Sequence, residues 1–83
     1  MKYILIEVVE REISVPEVFS SHKEAHNQMC YYLSDVLGVP VDTIIEGYLN
    51  HEDYNDETCV MENVAWTQRH GANFDWRIFP FSE

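Results

Sequence analysis

The chain has 83 residues, 46% hydrophobic and 13% aromatic, which suits one compact domain over residues 1–83 and is not typical of a disordered protein. Fifteen acidic residues against five Lys and Arg give a formal net charge of −10, which excludes direct binding to a polyanion such as DNA. Two cysteines, no signal peptide and no long apolar run predict a soluble cytoplasmic protein with free thiols and no membrane contact.

The first predicted element is a β-strand over Lys2–Val9, which is rich in β-branched residues. This stretch is apolar on both faces, and we therefore expect it inside the sheet. One face carries Ile4, Ile6 and Val8, and the other carries Tyr3, Leu5, Glu7 and Val9. Residues 13–15 precede Pro16 and predict a short edge strand that pairs back on the first strand.

Residues 21–37 predict the one long amphipathic helix of the chain. Ser21 and Glu24 have the S-x-x-E spacing of a capping box, so Ser21 is the expected N-cap. Gly38 is expected to close the helix in the left-handed conformation, and Pro40 prevents its continuation. The apolar stripe of this helix carries Ala25, Met29, Tyr32, Leu33 and Val36.

Three reactive side chains, His22, His26 and Cys30, recur one turn apart on this helix. Histidines four residues apart with a thiolate one turn further have suitable chemistry for zinc, and His26 with Cys30 has the spacing of a thiolate pair. The same residues flank the apolar stripe, where half-buried His and Cys commonly pack. We therefore expect packing, no metal and no cofactor, and retain these residues as an alternative metal site.

A second, shorter helix is predicted from Val41 to Leu49, because apolar residues recur there at i, i+3, i+4, i+7 and i+8. Residues 50–58 then form a polar, acidic stretch with some likeness to a calcium loop. Calcium binding is not expected, because Thr58 stands where such a loop needs glycine and Val64 stands where it needs glutamate.

Two apolar stretches on either side of Gly71 predict the strands of a β-hairpin. A loop with an odd number of residues lets the apolar faces meet and makes Trp66 and Trp76 a cross-strand pair. The expected strands are residues 59–68 and 74–79, with Val64, Trp66 and Gln68 opposite Ile78, Trp76 and Phe74. The reverse face, which carries Thr67 and Arg77, is expected to contact solvent.

These elements predict an α+β fold in the order β-α-α-β-β. It is a small two-layer domain, in which an antiparallel sheet of three or four strands packs on one long helix beside a second short helix. In the expected core, Met29, Leu33 and Val36 pack on Ile4, Ile6, Trp66 and Trp76.

A strand, a helix that opens with S-x-x-E-A and a last strand with D-W-[KR]-I-F occur together here, the two motifs at residues 21–25 and 75–79. In these features the chain resembles short uncharacterised proteins of Gram-positive bacteria and their phages. The resemblance implies an origin in a phage or mobile element, and it implies no activity or catalytic residue.

The distribution of charge along the chain predicts a negative surface, because nine carboxylates and no Lys or Arg lie between Lys23 and Arg69. We expect a non-enzymatic protein-binding module that presents this negative surface to a basic partner, such as a phage-encoded inhibitor of a nucleic-acid-binding protein. Its expected binding residues are Tyr31, Glu46, Tyr48, Glu52, Asp53, Tyr54, Asp56 and Glu57. The alternatives are the small metal-binding protein and a homodimeric accessory domain, whose copies join through the strand face with Tyr3, Leu5 and Val9.

Overall fold

The computed structural model of the chain describes residues 1–49, 58–69 and 71–81. Within these residues it confirms the α+β class, with two helices and a six-stranded antiparallel sheet in place of the expected three or four strands. In chain order the elements are β1 (Lys2–Val9), β2 (Glu12–Ile13), β3 (Glu17–Phe19), α1 (His22–Leu37), α2 (Val41–Leu49), β4 (Thr58–Val60), β5 (Val64–Arg69) and β6 (Ala72–Phe81). The strand order is β2-β1-β6-β5-β4, and β3 also pairs with β1.

The edge strand predicted for residues 13–15 is replaced by two short strands. A tight turn at Glu10 and Arg11, both at positive φ, reverses the chain so that β2 pairs with the end of β1. The chain then leaves the sheet before Pro16 and returns as β3, which pairs with the first half of β1. Because β6 occupies the other edge of β1, the predicted internal position of β1 is confirmed.

Helix α1 has the predicted ends. Ser21 is the N-cap, and its hydroxyl accepts the backbone N–H of Glu24 at 3.2 Å. The Glu24 carboxylate accepts a hydrogen bond from the Ser20 hydroxyl at 3.1 Å. Gly38 takes the left-handed conformation, with φ 71°, and its N–H bonds to the Ser34 carbonyl. Helix α2 confirms the second helical prediction.

The hairpin prediction is wrong in its register and in its first strand. Trp66 pairs with Asp75, and Trp76 pairs with Ala65, because the loop between β5 and β6 has two residues and not three. The expected strand over residues 59–68 is broken by a turn at residues 61–63, where the Met61 N–H bonds to the Val64 carbonyl. This turn separates β4 from β5.

The core lies between the sheet and the helices, and the faces of β1 and β5 that form it differ from the prediction. Leu5 on β1 and Ala65 on β5 are buried, in place of Ile4, Ile6 and Trp66. The predicted contributions of α1 and of Trp76 are confirmed. The fully enclosed cluster is Leu5, Ala25, Met29, Cys30, Leu33, Ile44, Ala65, Trp76 and Ile78, with Val36 and Tyr3 partly buried against it.

Thr67 is the further correction on β5, since it was expected in solvent and is buried. It pairs with Thr58 on β4, and their hydroxyls form a hydrogen bond of 2.8 Å. This bond gives each buried hydroxyl a partner, which is the condition for enclosing a polar group without a large loss of stability.

Candidate functional sites

The histidine row on α1 holds the turn between β4 and β5 against the helix. His22 Nε2 lies 3.0 Å from the Glu62 carbonyl and 2.9 Å from Asn63 Oδ1. His26 Nε2 lies 3.1 Å from the Met61 carbonyl. Because a carbonyl oxygen only accepts hydrogen bonds, each Nε2 is assigned as the protonated nitrogen, and both rings tie the helix to this turn.

Cys30 and His26 form a neutral pair beneath that contact. Since His26 Nε2 carries the hydrogen, its Nδ1 is the acceptor in the neutral ring and takes the Cys30 thiol hydrogen across 3.6 Å. Burial lowers the pKa of His26, and burial raises the pKa of Cys30 to about 11. The pair is therefore thiol and imidazole near neutral pH, in contrast to the thiolate and imidazolium of a nucleophilic site.

The arrangement of these three side chains favours packing over metal binding. Within residues 1–49, 58–69 and 71–81, no group of three or more His, Cys, Asp and Glu side chains is placed to hold a metal ion. The Nε2 atoms of both histidines point to oxygen atoms of the turn at residues 61–63, and Cys30 is fully buried. The row thus links α1 to the β4–β5 turn.

A groove lies on the outside of the helical layer. It runs between α1, α2 and the end of β3 and has a volume of about 470 Å³. Its lining combines apolar groups with one carboxylate and two amides, and consists of Phe19, Glu24, Asn27, Gln28, Tyr31, Val41 and Ile45. Tyr31, a predicted binding residue, is 53% exposed and forms part of this wall. We call this feature the helical groove.

The predicted binding residues are brought together only in part. Glu46 is exposed on α2, one residue after the groove residue Ile45. Tyr48 belongs to α2, and its side chain lies outside the described part of the structure. The five others lie outside the described residues: Glu52, Asp53, Tyr54, Asp56 and Glu57. The exposed carboxylates of the two helices share one layer of the domain, and they are Glu24, Asp35, Asp42 and Glu46.

The helix-free side of the sheet is a second exposed apolar surface among the described residues, and it was not predicted from the sequence. Trp66 is 39% exposed there and Phe79 is 47% exposed. From the strand pairing this side carries Lys2, Ile4, Ile6, Val8, Ile13, Val18, Cys59, Val64, Trp66, Gln68, Asn73, Asp75, Arg77, Phe79 and Phe81. We call it the outer face.

The predicted dimer surface lies on the wrong face of β1. Tyr3 and Leu5 face the helices, where Leu5 is buried in the core and Tyr3 is partly buried against it. This face of β1 is therefore largely covered by other parts of the same chain. The alternation of β1 did contain the correct signal. Both of its faces are apolar, and the face with Ile4, Ile6 and Val8 is the one without a helix.

No helix within the described part of the chain is both long enough and apolar enough to cross a membrane. Comparison with protein-family models, with curated proteins and with solved structures finds no match to this chain.

Proposed function

We propose that this chain is a non-enzymatic protein-binding module whose site is the helical groove, and that the partner inserts an apolar side chain flanked by Lys or Arg. The observation that carries this proposal is the exposed Tyr31 ring in a concave surface between two acidic helices. Tyrosine is enriched in protein interfaces because its ring buries a large area while its hydroxyl keeps a polar contact.

The apolar part of the groove has the chemistry of an anchor pocket. Phe19, Val41 and Ile45 come from three different elements and surround the space beside Tyr31. A short segment of a partner that places a Leu, Ile or aromatic side chain there removes apolar area of both molecules from water. Asn27 and Gln28 supply amide donors and acceptors along the α1 wall.

The polar part of the groove selects for positive charge. Glu24 lies in its wall, and Asp35, Asp42 and Glu46 are exposed on the same two helices. Their combined field attracts a basic segment and repels an acidic one, an effect that acts chiefly on the association rate and on specificity. Proteins that bind nucleic acids carry such basic surfaces, so an inhibitor of a nucleic-acid-binding protein fits this site.

The test uses a displayed library of random peptides selected on the wild-type chain. We expect the selected peptides to combine Lys or Arg with an aliphatic or aromatic residue. Tyr31→Ser should weaken their binding by about tenfold, the loss typical of removing one aromatic anchor. Glu46→Lys should reduce the association rate most strongly at low salt.

The matched control is Glu12→Lys, which makes the same charge change on the exposed strand β2, away from the groove. It should leave binding of the selected peptides nearly unchanged. The proposal is wrong if the selected peptides lack basic residues, or if Tyr31→Ser binds them as tightly as the wild type.

A further inference from the structure

We infer that two copies of this chain pack through their outer faces, related by a twofold axis that lies between the sheets and crosses β6 between Asp75 and Arg77. This goes beyond the proposed function and is independent of it, because the helical groove lies on the opposite side of the domain. Four features of the outer face support the inference: its apolar content, its charge, the order of residues across its strands and its area.

The first feature is apolar content. An antiparallel sheet with one solvated face normally alternates apolar and polar residues, so that its solvent face is polar. Here the three consecutive outward positions of β1 after Lys2 are Ile4, Ile6 and Val8. Neighbouring strands add Trp66 and Phe79 with large exposed areas. Contiguous apolar surface of this kind is characteristic of an interface.

The second feature is charge. The chain as a whole has a formal net charge of −10, so most of its surface repels a second copy. Among the strand residues of the outer face, the charged ones are Lys2, Arg77 and Asp75, which sum to two positive charges and one negative. The outer face is therefore the part of the described sheet through which two identical acidic chains approach with least repulsion.

The third feature is the order of residues in two adjacent rows across the sheet. One row holds Ile6, Arg77 and Val64, and the next holds Val8, Asp75 and Trp66. A twofold axis that runs between these rows, perpendicular to β6, places the first row of one copy over the second row of the other copy, and the reverse. Arg77 then meets the partner's Asp75, with Ile6 over Val8 and Val64 over Trp66 on either side.

Within one chain, the Arg77 and Asp75 side chains are both partly exposed and can therefore take part in this contact. Arg77 Nε lies 3.5 Å from Asp75 Oδ1, a long ion pair, and the Asp75 side chain is 39% exposed, so part of this side chain is accessible to a second copy. The Arg77 side chain is 58% exposed, and a guanidinium group offers five N–H donors. Two copies bring two such pairs together at the centre of the interface, where opposite charges alternate.

The fourth feature is area. The six strands contain 32 residues, and at about 3.3 Å per residue and about 4.8 Å between strands they present roughly 500 Å² in projection. Two such faces bury about 1,000 Å², which just reaches the threshold of about 1,000 Å² for a specific interface. Aligned packing of two twisted sheets is an established way to cover such faces. A dimer of modest affinity is therefore expected.

The experiment is sedimentation equilibrium on the full chain and on two single variants, Asp75→Arg and Arg77→Asp. Each variant places like charges opposite each other across the proposed axis, so each should raise the dimer dissociation constant by about tenfold or more. An equimolar mixture of the two variants restores opposite charges and should form a heterodimer with nearly wild-type affinity. Only a self-complementary contact between these two positions gives this pattern of loss and recovery.

Two controls separate this contact from general charge effects and from unfolding. Asp35→Arg and Lys23→Asp make the same charge changes at exposed positions of α1 and should leave the dimer unchanged. Recovery in the mixture itself shows that both variants are folded. A second measurement is alkylation of Cys59, which lies on the outer face and should react more slowly as the concentration of the chain rises.

A wild type that is monomeric at every concentration would overturn the inference, because the outer face would then not join two copies of this chain. Dimerisation that neither single variant weakens would also overturn it, because the interface would then lie elsewhere. Failure of the mixture to recover, with both variants folded by circular dichroism, would reject the proposed twofold axis.

Discussion

The indole N–H of Trp76 donates a hydrogen bond of 2.7 Å to the Glu7 carboxylate. The two residues are cross-strand partners on β6 and β1, and Trp76 is fully buried while Glu7 is partly exposed. This bond gives the buried indole its hydrogen-bond partner and fixes the ring at the centre of the sheet. It also explains why a carboxylate occupies the helix-facing side of an otherwise apolar strand.

The first prediction follows from this bond. Glu7→Ala leaves the buried indole N–H without its acceptor and should lower the free energy of unfolding by about 1 to 3 kcal/mol. Glu7→Gln keeps an acceptor oxygen at the same distance from the backbone, and it should lower the free energy of unfolding by less. Denaturant unfolding of both variants checks this, and equal losses for Ala and Gln would contradict the role given to the bond.

The second prediction concerns the core of α1. Leu33 is fully buried against the sheet, so Leu33→Ala should lower the free energy of unfolding by about 2 to 5 kcal/mol. The control is Asp35→Ala, an exposed position two residues away, for which we expect a change within about 0.5 kcal/mol. A loss below about 1 kcal/mol for Leu33→Ala would remove this residue from the core.

The third prediction is a pH dependence that comes from His26. Burial, the largest cause, lowers its pKa from the ordinary value of 6.5; nearby His22 lowers it too, whereas the hydrogen bond to Met61 and the charge of Glu62 raise it. The unfolded chain therefore binds a proton more readily than the folded chain. The contribution of neutral His26 to stability is complete above pH 6.5 and is lost as the pH falls from 6.5 towards the lower folded-state pKa.

His26→Gln provides the comparison, because other groups also titrate in this range. The difference in unfolding free energy between the wild type and this variant, measured by chemical denaturation at a series of pH values, should shrink as the pH falls below 6.5. A difference that grows on acidification would show that His26 is charged in the folded protein.

The fourth prediction concerns the two thiols. Cys30 is fully buried and its pKa is raised to about 11, whereas Cys59 is partly exposed on the outer face. In dilute native protein, iodoacetamide should therefore modify Cys59 well before Cys30, since the thiolate is the reacting form. Mass spectrometry of the peptides checks the order, and Cys59→Ser should abolish the fast reaction. Rapid modification of Cys30 would contradict the neutral pair with His26.

The ends of α1 were predictable from sequence because their determinants are local. The Ser21 cap and the Gly38 stop act within one turn of the helix, and the structure places both where the pattern did. The period of α2 is likewise contained in its own nine residues. The helix ends and the helical period can therefore be predicted without knowing the rest of the fold.

The register of β5 was not predictable in the same way, because the chain has apolar residues on both faces of its sheet. Val64 and Trp66 have the alternation of a core face, yet they belong to the outer face. The buried positions are Ala65 and Thr67, and Thr67 is accommodated because Thr58 on another strand bonds its hydroxyl. That partner comes from tertiary structure, which the pattern of one strand does not contain.

For the same reason the outer face was not predicted, and the dimer surface was assigned to the wrong face of β1. Either face of β1 satisfies the sequence pattern, and only packing against α1 decides that Leu5 turns inward. The helical groove was missed for a related reason. Tyr31 was identified as an aromatic residue on a polar helix face, but its neighbours Phe19 and Ile45 come from distant parts of the chain.

The most direct test of the binding proposal is an NMR titration of the ¹⁵N-labelled chain with a peptide from the selection. The largest amide shift changes should fall on the helical groove, around Glu24 and Tyr31 on α1 and Ile45 on α2, and they should shrink in Tyr31→Ser. Shift changes confined to the outer face, or spread evenly over the chain, would contradict the assignment of the helical groove as the binding site.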